Sequence, residues 1–232
     1  MTTIGPRNRN RHPYNTVLFD LDNTLGDRPA SVRRWAEKFY FSQPGVMAKV
    51  GRAEAIEQIV RWDAGGHVFA PEMFSKMVEV WPFVRESVDE LVKWHAVNYP
   101  AAFRPAPVVG RTITRMMRVG IEWGVVTNGP SFQRAKLVAL GLDKIAGCVV
   151  ISSEFGEDKP SPEIFKEALR RLGRIPEGAI FVGDSPVADI EGARKARLDT
   201  AWMSLGRKWP ADLRPPTHTL SKFADLVQVL GL

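Results

Sequence analysis

Residues 14–22 read YNTVLFDLD. Val17, Leu18 and Phe19 form a short apolar run that ends in two acids, Asp20 and Asp22. Apolar residues at consecutive positions mark a strand buried on both faces, as in a parallel sheet, with the acids at its carboxyl-terminal tip. The second half of the chain continues this pattern. Strands are expected at Glu122–Thr127, Cys148–Ser152, Ala179–Val182 and Thr200–Ser204. Between them the pattern predicts helices at Arg111–Val119, from about Pro130 to Gly141, from Pro162 to Gly173, and over Pro186–Ala196. Ser161-Pro162 reads as a helix start, and Gly120, Gly141 and Gly173 as stops. Ser221 is expected to cap a last helix presenting Phe223, Leu226, Val227 and Leu230. Strands alternating with helices define the α/β class, here a Rossmann-like, doubly wound parallel sheet covered by helices on both faces.

The stretch from Asp27 to Arg104 differs. Val32, Trp35, Ala36 and Phe39 recur at helical spacing, as do Met73, Phe74, Met77 and Val78, and again Val84, Val88, Leu91, Val92 and His95. No strand pattern interrupts them, and eleven Lys and Arg nearly cancel ten Asp and Glu. The organisation expected is therefore a basic tail over residues 1–13, a core made of 14–26 and 105–232, and an all-helical insert over 27–104. Pro105 and Pro107 read as a stiff hinge or linker at its exit.

With 232 residues, 44% of them hydrophobic and 25% charged, a sizeable core can be buried. Half of the formal charge of +6 comes from Arg7, Arg9 and Arg11 in the tail, so the body is nearly balanced and nucleic-acid binding is not expected. The single cysteine, Cys148, sits in an apolar strand and reads as core. Met116 and Met117 read as core filling on a helix, and the histidines as core or surface. The sequence has no apolar run long enough to cross a membrane and no apolar leader, so a cytoplasmic location is expected. Nothing in the pattern specifies an oligomeric state.

In sheets of this kind, reactive groups gather at the carboxyl ends of the strands. The first strand end supplies Asp20 and Asp22, and the second Thr127 and Asn128. The loop after the third supplies Lys159, and the fourth Asp184 with Asp189 one helical turn on. Four converging carboxylates repel one another unless a cation sits among them. Only oxygen ligands are offered, which points to a hard divalent ion, Mg²⁺, working with a phosphate-bearing substrate.

FDLDNTL at 19–25, VVTNG at 125–129, KPSPEIF at 159–165 and GDSPVADIEGA at 183–193 resemble, in order, the four motifs of the haloacid dehalogenase superfamily. The helical insert resembles the C1-type cap of its phosphatase branch. The resemblance implies a Mg²⁺-dependent phosphatase acting on a small phosphorylated metabolite such as a nucleoside monophosphate, a sugar phosphate or phosphoglycolate. It implies Asp20 as nucleophile and Asp22 as general acid and base. Thr127, Asn128 and Lys159 would bind the phosphoryl group. Asp20, Asp184 and the backbone carbonyl of Asp22 would ligate the metal, with Asp189 supporting it through water or orienting Lys159. Substrate choice would lie in the cap.

Other chemistries occur on the same fold. Dehalogenases typically lack the second acid of the first motif, which is present here as Asp22. Phosphonatases need a cap amine; Lys38, Lys49, Lys76 and Lys93 are available, none in a distinctive context. Phosphomutase chemistry is a further alternative. A non-catalytic regulator would be expected to have lost a key residue, and all are present.

Overall fold

The computed structural model describes residues 12–66 and 68–232. The basic tail up to Arg11, and His67, lie outside the described residues. Six strands form one wholly parallel sheet in the order β3-β2-β1-β4-β5-β6. They are β1 Thr16–Phe19, β2 Glu122–Thr127, β3 Cys148–Ile151, β4 Ala179–Gly183, β5 Asp199–Met203 and β6 His218–Leu220. The continuous apolar run at 17–19 places β1 at the centre, where Thr16–Phe19 pair with Glu122–Val125 on one side and Ala179–Val182 on the other. Five strands lie within a residue or so of expectation. The sixth, β6, is too short to show a period and is specified by its pairing with β5, Ala201 opposite His218.

The helices are α1 Arg28–Ser42, α2 Pro44–Met47, α3 Arg52–Asp63, α4 Ala70–Val80, α5 Val88–Asn98, α6 Pro107–Arg118, α7 Gln133–Leu140, α8 Ser152–Phe155, α9 Pro162–Leu172, α10 Gly192–Lys195 and α11 Leu226–Val229. Successive strand residues point to opposite faces, so each face gathers its own core. On one face Leu18, Val126, Val150 and Phe181 pack with Ile164, Phe165 and Ala168 of α9 and Ala193 of α10. On the other, Phe19 stacks on Phe223 at 5.8 Å and meets Trp123 edge-on at 6.1 Å, with α6 beside the Phe223 turn.

Four local expectations need correction. Helix α6 starts at Pro107 rather than at Arg111; proline lacks the N–H that a first helical turn leaves unused. Met116 on that helix is buried, but Met117, about 100° further round, is 46% exposed. The segment from Pro186 opens as a wide π-turn over Pro186–Glu191 before α10. The last helix is split into a 3₁₀ turn over Phe223–Asp225 and α11. Its cap is the Asp225 carboxylate, which accepts from the Ser221 and Lys222 N–H groups, rather than the Ser221 hydroxyl.

The chain divides into two compact units. Among the described residues, one contains those up to Leu25, Ala106–Pro130 and Ile145–Leu232; the other contains those in Gly26–Pro105 and Ser131–Lys144. Helix α7, which follows the second motif and was expected in the core, thus groups with the helical unit. The reason is aromatic packing: Phe132 lies 5.8 Å from His95 and 6.4 Å from Tyr99, and the Lys136 ammonium lies 4.9 Å from the Tyr99 ring.

Trp35 organises the helical unit, with Phe39, Phe74, His95 and Tyr99 around it at 4.9 to 6.1 Å. Arg28 and Asp63 form a bidentate pair with both bonds at 2.8 Å. His95 stacks on Tyr99 at 4.8 Å. Burial, reinforced by the nearby Lys136 and Arg28 charges and only partly opposed by Asp63, pushes its imidazole down to about 4. The unfolded chain therefore binds a proton at His95 that the folded chain refuses between about pH 6.5 and pH 4. Stability from this group is complete above the unfolded pKa and is lost as the pH falls through that window, by about 3 kcal/mol in all. His95→Phe should remove this acid-side component, seen as a flatter profile of unfolding free energy between pH 4 and 7. Parallel profiles for the two proteins would show that His95 does not carry it.

Candidate active site

The strand order turns at β1: the chain runs outward to β2 and β3 on one side and to β4, β5 and β6 on the other. Such a reversal opens a crevice at the strands' carboxyl ends. Asp20 follows β1 directly, and its backbone N–H donates to Val182 of β4 at 2.9 Å. The residue is 7% exposed. Lys159 Nζ donates to Asp20 Oδ1 at 2.6 Å and to Asp189 Oδ1 at 2.7 Å, itself only 5% exposed. Asp184 completes the group: oxygens of Asp20, Asp184 and Asp189 all lie within 4.8 Å of one another.

Local sequence explains each placement. Asp189 sits on the π-turn opened by Pro186, which Ser185 caps through a bond from the Ala188 N–H to its hydroxyl. Its second oxygen accepts from the Ser185 N–H at 2.8 Å. This approach needs a glycine at 183, because a Cβ there would stand 2.4 Å from Asp189 Oδ2. Asn128 clamps the lysine loop: its amide donates to the Lys159 carbonyl at 2.9 Å and its oxygen accepts from the Lys159 N–H at 2.8 Å. The side chain expected at the phosphoryl group thus holds the backbone of Lys159. Thr127, 1% exposed, ends β2, and its hydroxyl donates to the Asn128 carbonyl at 3.3 Å. Asp22 is half-buried in the turn after β1, two residues beyond Asp20 and outside the carboxylate triad.

Electrostatically the centre is short of positive charge. Burial raises the Asp20 carboxyl well above the usual range; Lys159 opposes this, and Asp189 and Asp184 add to it. Asp184 is raised by burial and by Asp189, with Arg207 pulling the other way. For Lys159, burial lowers the pKa but Asp189 and Asp20 outweigh it, so the ammonium stays charged. One buried ammonium against three carboxylates leaves a place that a divalent cation fits, and the oxygen-only donors suit a hard ion.

Four contacts escape the motif reading. Thr24 donates to Asp20 Oδ2 at 3.4 Å, and Asn23, with φ 64°, donates to Asp184 Oδ2 at 3.3 Å. Both belong to FDLDNTL, so adjacency was the available signal. Arg207 and Trp202 also reach Asp184, and no sequence pattern marks them. Cys148 is buried with its thiol raised to about 11 by burial, as a core residue should be.

The parallel α/β sheet thus carries a buried aspartate, a lysine and two further acids together at one set of strand ends. The model of the haloacid dehalogenase-like hydrolases matches residues 14–197, and the chain belongs to that family. It is 30% identical over 197 residues to a glyceraldehyde 3-phosphate phosphatase of Methanopyrus kandleri, covering 82% of this chain and 84% of that one. It is 30% identical to a phosphoglycolate phosphatase of Aquifex aeolicus over 92% of this chain and 95% of that one. Among solved structures, a HAD hydrolase of Bacillus subtilis bound to magnesium superimposes with a TM-score of 0.72 at 23% identity, over 94% and 99% of the two chains.

Gly183→Ala should force Asp189 away from Lys159 and lower stability by about 1–3 kcal/mol, the usual range for overpacking. Thermal denaturation checks this, and an unchanged midpoint would mean that the strand end yields without disturbing Asp189.

Proposed function

We propose that this protein is a magnesium-dependent phosphomonoester hydrolase that passes the phosphoryl group of a small phosphorylated metabolite first to Asp20 and then to water. The observation that carries the reading is the Asp20 carboxylate at the crevice, 2.6 Å from Lys159 and grouped with Asp184 and Asp189. Asp20 attacks phosphorus, forming an oxygen–phosphorus bond as the bond to the leaving oxygen breaks. Asp22 gives its proton to that oxygen. The Asp22 carboxylate then takes a proton from water, whose oxygen attacks the aspartyl-phosphate, frees inorganic phosphate and restores Asp20. Lys159 and Thr127 offset the charge on the phosphoryl oxygens, while Asn128 holds the lysine loop in register. The Asp20 and Asp184 carboxylates and the Asp22 backbone carbonyl would hold the metal, with Asp189 in support. Bound Mg²⁺ supplies charge neutralisation and polarises the phosphoryl oxygens.

Phosphatase chemistry, rather than halide displacement, is favoured by Asp22, because an alkoxide leaves poorly without a proton and a halide needs none. The named substrates of the relatives, glyceraldehyde 3-phosphate and phosphoglycolate, support a small phosphorylated metabolite as the substrate class. In this reading the helical unit is the C1-type cap and selects the leaving group.

Asp20→Asn should lower kcat at least about a thousandfold with the fold intact. Near-normal turnover by the folded variant would sink the covalent route. Chelation should abolish phosphate release and Mg²⁺ should restore it; full activity in excess chelator would remove the metal from the mechanism. Asp22→Asn should slow the first step strongly, about a hundred- to ten-thousandfold, for sugar phosphates. The loss should be smaller for para-nitrophenyl phosphate, whose leaving group needs little protonation. Equal first-step losses in rapid-quench measurements would deny Asp22 the role of acid.

A further inference from the structure

Arg207 lies between β5 and β6, outside all four motifs, yet it converges on Asp184. Its Nη2 donates to Asp184 Oδ2 at 3.0 Å and to the Asp184 backbone carbonyl at 2.7 Å. Its Nε donates to the Ser204 carbonyl at 3.1 Å, which ties the guanidinium to its own loop. The Trp202 indole N–H reaches the same Asp184 carbonyl at 2.9 Å, and Trp209 braces Trp202 edge-on at 5.0 Å. Asp184 is therefore held by its main chain and its carboxylate together. The Arg207 and Asn23 donors share one carboxylate oxygen. A carboxylate so engaged keeps its second oxygen as a ligand of defined direction.

The arginine side chain is 47% exposed and that of Asp184 only 14%. An ion pair with one partner half in water contributes little to folding. Its positive charge opposes a nearby cation, but that repulsion is weakened by solvent. Orientation of the ligand remains as the larger effect, since loss of partners that orient metal ligands typically weakens binding about 10- to 100-fold.

We propose that Arg207 is a positioning residue that orients Asp184 and thereby strengthens divalent-cation binding by the acidic cluster. The proposal rests on the reading of that cluster as the metal site. The test is Mg²⁺ titration by isothermal calorimetry on the full chain, comparing wild type with Arg207→Ala, Arg207→Lys and Asp184→Asn. Arg207→Ala should bind Mg²⁺ at least about tenfold more weakly. Arg207→Lys should recover only part of the loss, because a single ammonium cannot hold the Ser204 carbonyl through one nitrogen and Asp184 through another, as Nε and Nη2 do. The Mg²⁺ concentration for half-maximal phosphate release should rise by the same factor, while KM for substrate at saturating Mg²⁺ stays near wild type. A general structural defect would move KM and the thermal midpoint together; if Arg207→Ala does not fold, Arg207→Lys alone decides. Unchanged Mg²⁺ affinity in a folded arginine variant, with Asp184→Asn strongly impaired, overturns the role of Arg207 alone. Tighter binding would make Arg207 a competing counter-ion and overturn it too. Wild-type affinity in Asp184→Asn would instead overturn the metal site on which the proposal rests.

Discussion

The bridge from Lys159 to Asp20 and Asp189 is the constraint around which the carboxyl end of the sheet is arranged. An ammonium and two carboxylates are taken out of water together, and each is tolerable only because the others are in place. Removing one partner of such a buried pair typically costs about 3–5 kcal/mol, because the charge left behind has nowhere to go. Replacing the whole group by apolar side chains is often neutral or stabilising. Stability therefore does not explain why these charges are here, whereas the phosphoryl transfer proposed above does.

Much of the nearby sequence serves that bridge. Gly183 leaves room for Asp189, and Ser185 both caps the π-turn and donates its N–H to the Asp189 carboxylate. Asn128 holds the main chain of Lys159 from the end of a different strand. Asp20, Lys159 and Asp189 come from three separated parts of the chain, so the register of β1 against β2 and β4 sets their distances. A slip of one residue would turn every side chain of a strand to the other face. The core on both faces, Leu18 on one and Phe19 on the other, guards against that slip.

The helical unit follows a different logic. Its interior is aromatic, centred on Trp35, with buried His95 among the rings and the half-buried Arg28–Asp63 pair reaching Tyr99 through the arginine. Rings give large buried area with few torsions to restrict. The unit also draws in α7 from beyond the second motif, so its composition is not contiguous along the chain.

The sequence by itself determined most element types, the parallel class and the four strand ends at which Asp20, Thr127, Lys159 and Asp184 lie. Each of these follows from a local signal: the run VLF before Asp20, the Ser-Pro start and glycine stop of α9, and Asp189 placed one turn beyond Asp184. Only the tertiary structure decided what depends on distant partners. Strand β6 exists because β5 offers an edge, α7 groups with the helical unit because Phe132 and Lys136 find rings there, and Asp225 rather than Ser221 caps the last turn because geometry brings its carboxylate to two N–H groups. Asn128 became a clamp and Arg207 a partner of Asp184 for the same reason. Periodicity and capping report forces acting within about one turn or one strand, whereas a hydrogen bond between residues 23 positions apart on irregular backbone leaves no trace in local pattern.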